Sequence, residues 1–225
     1  MNYRSYVEKA HSHIRNNEFI QAIENFNNAV KINPNVPDLF YNRGVTKLIL
    51  GNYGEALNDF DSAIKLDSNI SDYYLKRGDT RYFLNDLEGA KKDYNESLDL
   101  DPYNSDAWIN IGNVYSKLGN PNKAVDQYLN ALKMDSNDIG ALYNLSIAWK
   151  KLGKLKKAIK CCDYVFKINP KYLPAIINRA DCKWNLKEYS SSKKDYELAI
   201  EIDKESVFEL IGEKLTDRFP DIYKT

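Results

Sequence analysis

The sequence predicts an all-α protein built from six helical hairpins, because one pattern recurs every 34 residues. Small residues (Gly, Ala or Ser) occupy the eighth and the twentieth positions of every repeat. A large, flat residue occupies the twenty-fourth position in five of the six repeats, and Cys162 stands there in the fifth. Periods of this length are typical of stacked supersecondary units. One hairpin cannot bury both of its faces, so neighbouring hairpins are expected to stack around a continuous core.

The repeat register continues without insertion or deletion from residue 3 to residue 206. The eighth position is Ala10, Gly44, Gly78, Gly112, Ser146 and Ala180, and the twentieth is Ala22, Ala56, Ala90, Ala124, Ala158 and Ser192. The predicted repeats are 3–36, 37–70, 71–104, 105–138, 139–172 and 173–206. Beyond them an apolar stripe predicts a last helix over about 205–217. Residues 207–225 are therefore interpreted as a C-terminal capping helix and tail.

The recurring residue types have a physical reason in the geometry of a helical hairpin. Two helices approach closely only where their facing side chains are small, which accounts for the eighth and twentieth positions. Glycine costs about 1 kcal/mol relative to alanine inside a helix, so glycine at one register in three repeats indicates a steric need. Asn or Asp at the thirty-first position, followed by proline in three repeats, is expected to end each second helix.

Composition excludes several classes of function. The 225 residues carry no formal net charge, which argues against a nucleic-acid partner. No apolar run is long enough to cross a membrane, and the polar stretch at residues 1–17 lacks a signal segment, so a cytoplasmic location is expected. Three cysteines, two of them adjacent, do not form a disulfide framework.

Catalytic motifs are missing from the sequence. There is no glycine-rich phosphate loop, no nucleophile motif and no zinc-type spacing of Cys and His, so no enzyme activity, cofactor or metal is expected. Cys162 and Cys182 are predicted to be neighbours in the core and to act there as small apolar residues.

The fourth repeat carries a recognisable signature. It reads W-x2-I-G-x2-Y from Trp108 and A-x3-Y-x2-A from Ala124, and this resembles the tetratricopeptide repeat (TPR). The resemblance implies a right-handed superhelix of six hairpins whose first helices line a concave groove. It also implies that positions 2, 5, 6, 9, 12 and 13 of each repeat face that groove. The expected function is therefore a non-enzymatic scaffold that binds an extended segment of a partner protein.

The sixth position of the repeats is rich in asparagine. Four of six repeats have Asn there, namely Asn42, Asn110, Asn144 and Asn178. An Asn amide can pair with both the C=O and the N–H of an extended peptide. The series is similar to the asparagine ladder in the superhelical repeat domain of O-linked N-acetylglucosamine transferase, although this chain has no counterpart of the transferase's catalytic region. Asparagine is also common throughout the chain, at 25 of 225 residues, so composition alone is the competing interpretation.

The groove positions together give a predicted binding site and a predicted ligand character. The peptide-contacting residues are expected to be Asn42, Lys76, Asp79, Asn110, Asn113, Tyr143, Asn144 and Asn178. Aspartates and aromatic residues at the groove positions favour a peptide that contains Lys or Arg. The positive charges of Lys76, Lys117, Lys150 and Lys151 oppose this preference.

Two alternatives to this function remain open from the sequence. A co-chaperone module would need a carboxylate clamp; Asn113 and Asn144 fit it, but Ile109, Pro174 and Asn178 stand where cations are required. A structural adaptor would instead form a homo-oligomer through its terminal repeats, because the first repeat has no capping segment before it.

Overall fold

The structure is a computed structural model that describes residues 2–222, and the part of the predicted tail at Tyr223–Thr225 lies outside the described residues. Within 2–222 it contains thirteen α-helices and no strand. The helices are α1 (Tyr3–Arg15), α2 (Phe19–Ile32), α3 (Pro37–Ile49), α4 (Tyr53–Leu66), α5 (Ser71–Phe83), α6 (Leu87–Leu100), α7 (Ser105–Lys117), α8 (Pro121–Met134), α9 (Ile139–Lys151), α10 (Leu155–Ile168), α11 (Leu173–Asn185), α12 (Tyr189–Ile202) and α13 (Lys204–Arg218). The predicted all-α repeat fold is confirmed.

The ends of the helices follow the repeat. The first helix of each hairpin begins at the predicted first position, from Tyr3 in α1 to Leu173 in α11. Every second helix ends at an Asn or Asp with extended backbone at the thirty-first position, as the sequence predicted. The fifteenth position, inside the hairpin turn, has a positive φ in all six repeats: Asn17, Gly51, Asn85, Gly119, Gly153 and Lys187. Gly and Asn suit this left-handed turn best, and Lys187 is the exception.

The small residues of the repeat lie where the two helices of each hairpin meet. All twelve residues at the eighth and twentieth positions are buried. A Cβ atom added to Gly78 would lie 2.6 Å from Cε1 of Tyr94, and one added to Gly44 would lie 3.0 Å from Cε1 of Phe60. The large residue at the twenty-fourth position therefore fills the space that the glycine leaves open.

The chain divides into two compact units, one ending at Val114 and the other beginning at Tyr115. In the first unit, Ala10, Ala22 and Phe26 form a buried cluster in the α1–α2 hairpin. In the second unit, the last hairpin shares a core with α13, which contributes Val207 and Leu215. The predicted C-terminal helix is thus present, and it covers apolar residues of α11 and α12.

A set of buried ion pairs, which the sequence analysis did not identify, joins the helices of three hairpins. Each set has an aspartate at the twenty-third position that pairs with cations at the seventh and eleventh positions of the same repeat. The sets are Asp59 with Arg43 and Lys47, Asp93 with Arg77 and Arg81, and Asp195 with Arg179 and Lys183. Each arginine at the seventh position also donates to an Asn or Asp of the preceding repeat: Asn27, Asp61 and Asp163. These arginines therefore tie neighbouring hairpins together.

Gly78→Ala is expected to destabilise the protein by about 1–3 kcal/mol, because the new methyl group would overlap the ring of Tyr94. The matched control is Gly54→Ala, since an added Cβ at Gly54 meets nothing within 4 Å. There alanine should stabilise α4 by up to about 1 kcal/mol through its higher helix propensity. Urea denaturation followed by circular dichroism measures both changes. Equal effects of the two substitutions would contradict the close approach at Gly78.

Asp93→Asn is expected to lower the free energy of unfolding by about 3 kcal/mol, because it removes the buried charge that the partly buried Arg77 and Arg81 share. The Asp93 side chain is 0% exposed. Asp61 is a second carboxylate partner of Arg77 but is 51% exposed, so Asp61→Asn should cost less than about 1 kcal/mol. Thermal unfolding of the two variants, side by side, checks this difference; a similar loss in both would show that burial of Asp93 is not what makes the pair strong.

Candidate functional site

All eight residues predicted to contact a peptide lie on first helices of hairpins. The first unit holds five of them: Asn42 on α3, Lys76 and Asp79 on α5, and Asn110 and Asn113 on α7. The second unit holds Tyr143 and Asn144 on α9 and Asn178 on α11. We refer to the surface formed by these helices within each unit as the first-helix face.

In the first unit, Asp79 is the centre of a polar cluster. Its Oδ2 accepts a hydrogen bond from Lys76 Nζ at 3.0 Å, and its Oδ1 accepts from Tyr94 Oη at 3.1 Å. Asn110 reaches across from α7, and its Nδ2 donates to Asp79 Oδ1 at 2.9 Å. Asn113 is linked to the cluster through Asn110, with a long Nδ2–Oδ1 distance of 3.4 Å. The structure therefore brings four of the predicted residues together.

An open pocket of about 290 Å³ lies beside this cluster. We call it the Asp79 pocket, and its walls are Asp79, Tyr82, Phe83, Tyr94, Asn110 and Asn113. Burial and the negative charge of Asp79 both raise the pKa of the Tyr94 phenol, so this hydroxyl stays protonated as a donor. Burial disfavours the charged form of Lys76, but Asp79 outweighs it and raises the pKa of the ammonium group. The pocket thus combines aromatic walls with fixed hydrogen-bonding groups.

Asn42, also in the first unit, uses its amide within its own helix. Its Nδ2 donates to the backbone oxygen of Asp38 at 2.8 Å. The Asp38 carboxylate accepts a hydrogen bond from Tyr73 Oη, and the rings of Tyr41 and Tyr73 lie 5.1 Å apart. Asn42 therefore lies next to an acidic and aromatic surface, and its amide hydrogen-bonds within α3 rather than joining the Asp79 cluster.

Asn178 departs from its predicted role. Its side chain is 3% exposed, and its Nδ2 donates to Ser146 Oγ at 2.8 Å. Its Oδ1 accepts from Lys150 Nζ at 2.9 Å. At this low exposure the amide is out of reach of a peptide backbone. The partners of Asn178, Ser146 and Lys150, belong to the preceding repeat. A comparison of the sixth position alone could not predict these contacts.

Tyr143 lines a second pocket, of about 310 Å³, in the second unit. Its ring packs edge-on against Tyr172 at 5.6 Å, and burial raises the pKa of its phenol. Ile177 and Leu210 add apolar walls, and Lys150 adds a charged one. Asn144, the next residue on α9, is half-buried.

Asp181 anchors the C-terminal helix, a role that the sequence did not predict. It ion-pairs with Lys150, and with Lys214 and Arg218 of α13, and it accepts a hydrogen bond from Tyr196. Burial alone would raise its pKa, but the hydrogen bonds from Lys214, Tyr196 and Lys150 hold the pKa of Asp181 at about 2. Burial and the nearby cations Arg218 and Lys150 lower the pKa of Lys214, although Asp181 opposes this. One carboxylate thus holds three cations.

The cysteines and the acidic side chains offer no reactive or metal-binding group among the described residues 2–222. Cys162 and Cys182 are both buried and free, and burial raises the pKa of the Cys182 thiol to about 11. Among residues 2–222, no group of three or more His, Cys, Asp or Glu side chains is arranged to hold a metal ion. No helix within the same residues combines the length and apolar character needed to cross a bilayer.

Comparison with protein families identifies the repeat along nearly all of its length. Models described as tetratricopeptide repeat match residues 7–69, 105–138, 139–172 and 173–206, and a model described as TPR repeat matches residues 78–119. No curated protein sequence matches the chain.

Solved structures with the same fold are similar at low sequence identity. YrrB, described as a TPR protein with an unusual peptide-binding site, is 21% identical with a TM-score of 0.67, covering 84% of this chain and 97% of that one. PilF of Pseudomonas aeruginosa is 16% identical with a TM-score of 0.75, covering 97% and 92%. MamA from Desulfovibrio magneticus RS-1 is 18% identical with a TM-score of 0.69, covering 76% and 96%. At these identities the likeness shows the fold.

Asp181→Asn is expected to loosen α13, because the substitution removes the charge that holds Lys214 and Arg218. Hydrogen exchange of the α13 amides should become faster, by about tenfold or more. The control is Asp217→Asn, an exposed carboxylate on the same helix. In the unaltered protein, the stabilisation from Asp181 is present above the ordinary Asp pKa of about 4 and is lost as the pH falls towards 2. Unchanged exchange in Asp181→Asn would show that apolar contacts alone hold α13.

Proposed function

The chain belongs to the tetratricopeptide repeat family, and from this premise we propose that it is a protein-interaction scaffold. It binds an extended segment of a partner protein along the first-helix face. TPR proteins generally bind other proteins and carry out no catalysis, and we assign no catalytic step to this chain.

The observation that carries this proposal is the Asp79 pocket. Hydrogen-bonding groups from successive first helices meet there, since Asn110 on α7 donates to Asp79 on α5. Tyr82 and Phe83 supply aromatic walls, and Phe83 is 58% exposed. Exposed aromatic surface beside fixed polar groups is typical of protein-binding hot spots. The volume of the pocket suits one or two side chains of a peptide.

Only two asparagines of the sixth position are proposed to contact the peptide. Asn110 and Asn144 are half-buried on first helices and remain the proposed contacts to the peptide backbone. Asn178 is instead assigned the support of Lys150. The likeness in fold to YrrB, whose description includes a peptide-binding site, supports a peptide as the ligand.

Site-specific photo-crosslinking tests the proposed face. A benzoylphenylalanine placed at Tyr82 or at Tyr143 should capture a partner from a lysate of the source organism. The control positions are Tyr103, which is 78% exposed between α6 and α7, and Tyr164, which is 48% exposed on the second helix α10. Replacing both Asn110 and Asn144 by alanine should weaken binding of the captured partner about 25-fold, since each lost hydrogen bond contributes about 1 kcal/mol.

Two results would overturn the proposed function. One is equal crosslinking from Tyr103 and Tyr164, which would show that the first-helix face is not preferred. The other is unchanged affinity of the double alanine variant, provided that circular dichroism shows its helices intact.

A further inference from the structure

The sixth hairpin shows how this fold binds an arginine, because Arg218 of α13 lies on its first-helix face. Arg218 Nη1 donates to Asp181 Oδ1 at 2.9 Å and also to Tyr196 Oη. The guanidinium carbon lies 4.9 Å from the centre of the Trp184 ring, a cation–π distance. The next residue, Phe219, packs edge-on against Trp184 at 5.1 Å. The internal ligand is thus an Arg-Phe pair.

The three residues that hold Arg218 recur at the same positions of the third repeat. Asp181 corresponds to Asp79 at the ninth position, Trp184 to Tyr82 at the twelfth, and Tyr196 to Tyr94 at the twenty-fourth. Each pair is separated by three repeat lengths. No other repeat combines Asp at the ninth position, an aromatic residue at the twelfth and Tyr at the twenty-fourth.

The hydrogen bond between tyrosine and aspartate is the same in the two triads. Tyr94 Oη donates to Oδ1 of Asp79 as Tyr196 Oη donates to Oδ1 of Asp181. In the sixth hairpin the space beside the triad is filled by Arg218, while in the third hairpin the Asp79 pocket is open. We propose that the Asp79 pocket binds an arginine side chain of the partner segment, with an aromatic residue beside it; this rests on the peptide-binding function proposed above.

Charge favours a cation in this pocket. Asp181 pairs with three cations at once, whereas the ion pair at Asp79 is with Lys76. A carboxylate has about four acceptor sites, and Asp181 uses them for Lys150, Lys214, Tyr196 and Arg218. Asp79 already accepts from Lys76, Tyr94 and Asn110, which leaves one acceptor site for a guanidinium. Asp106 also acts on Lys76 electrostatically, which adds negative charge near the pocket.

The aromatic wall favours arginine over lysine. A planar guanidinium can stack on Tyr82 while its N–H groups point at the carboxylate and the phenol, as Arg218 does with Trp184. An ammonium group is more strongly hydrated and has no flat face to stack.

The experiment is a titration of the isotopically labelled full chain with N-acetyl-Arg-Phe-amide, followed by NMR through the side-chain amides of Asn110 and Asn113. These amides line the Asp79 pocket and so report on it rather than on the sixth hairpin. We expect saturable shifts, and binding about tenfold weaker for the uncharged citrulline analogue, because a charge-assisted hydrogen bond is lost. The lysine analogue should bind several-fold more weakly than the arginine probe.

Asp79→Asn should weaken binding of the arginine probe about tenfold. Asp72→Asn is the matched control, because Asp72 is an exposed carboxylate on the same helix and does not line the pocket; it should change affinity less than about twofold. Tyr82→Leu keeps an apolar side chain but removes the stacking face, and it should weaken binding several-fold. This second variant decides the matter if Asp79→Asn fails to fold.

Equal binding of the arginine and citrulline probes, or of the arginine and lysine probes, would overturn the arginine pocket. Unchanged affinity in both the Asp79 and the Tyr82 variants would do the same. If the probe fails while photo-crosslinking at Tyr143 still captures a partner, only the arginine pocket is wrong. If crosslinking from the first-helix face fails as well, the proposed function is wrong too.

Discussion

The close approach of the two helices in each hairpin is the constraint on which the rest of the structure depends. At Gly78 there is no room even for a methyl group, because the ring of Tyr94 lies against the helix backbone. This contact fixes the position of the tyrosine ring and therefore of its hydroxyl, which reaches Asp79 on the first-helix face. A packing rule in the core thus determines the position of a hydrogen-bond donor in the proposed binding site.

The buried ion pairs add a second level of order. In the second, third and sixth repeats, the arginine at the seventh position binds the aspartate at the twenty-third position of its own hairpin. The same arginine also donates a hydrogen bond to the preceding hairpin. The fourth and fifth repeats have the apolar residues Ile111 and Leu145 at this position, and both are buried. The seventh position of the repeat therefore accommodates either an ion-pairing arginine or a buried apolar residue. The repeat therefore specifies geometry more strictly than it specifies chemistry.

The sequence was sufficient to predict the helices because their determinants are local and periodic. Small residues, turn residues and the Asn or Asp at each helix end recur at fixed spacing, so a single chain contains six copies of the same evidence. The site was harder to predict, because its side chains find partners on other helices. Asn178 has the same repeat position as Asn110, yet it is 3% exposed and hydrogen-bonds to Ser146 and Lys150, whereas Asn110 is half-buried beside the Asp79 pocket. The anchoring role of Asp181 depends on α13, which lies outside the repeat register.

This contrast explains how one repeat position serves two purposes. In the sixth hairpin, Asp181 and Tyr196 hold a cation from the chain itself and so contribute to the packing of α13. In the third hairpin, the equivalent pair stands beside an open pocket with a flat aromatic wall. Since the aspartate–tyrosine hydrogen bond is the same in both places, although Ala180 replaces the glycine in the sixth hairpin, what differs is the source of the ligand. The side chains that bind Arg218 of the capping helix in the sixth hairpin are thus the same kind of side chains that the third hairpin presents to an arginine of the proposed partner.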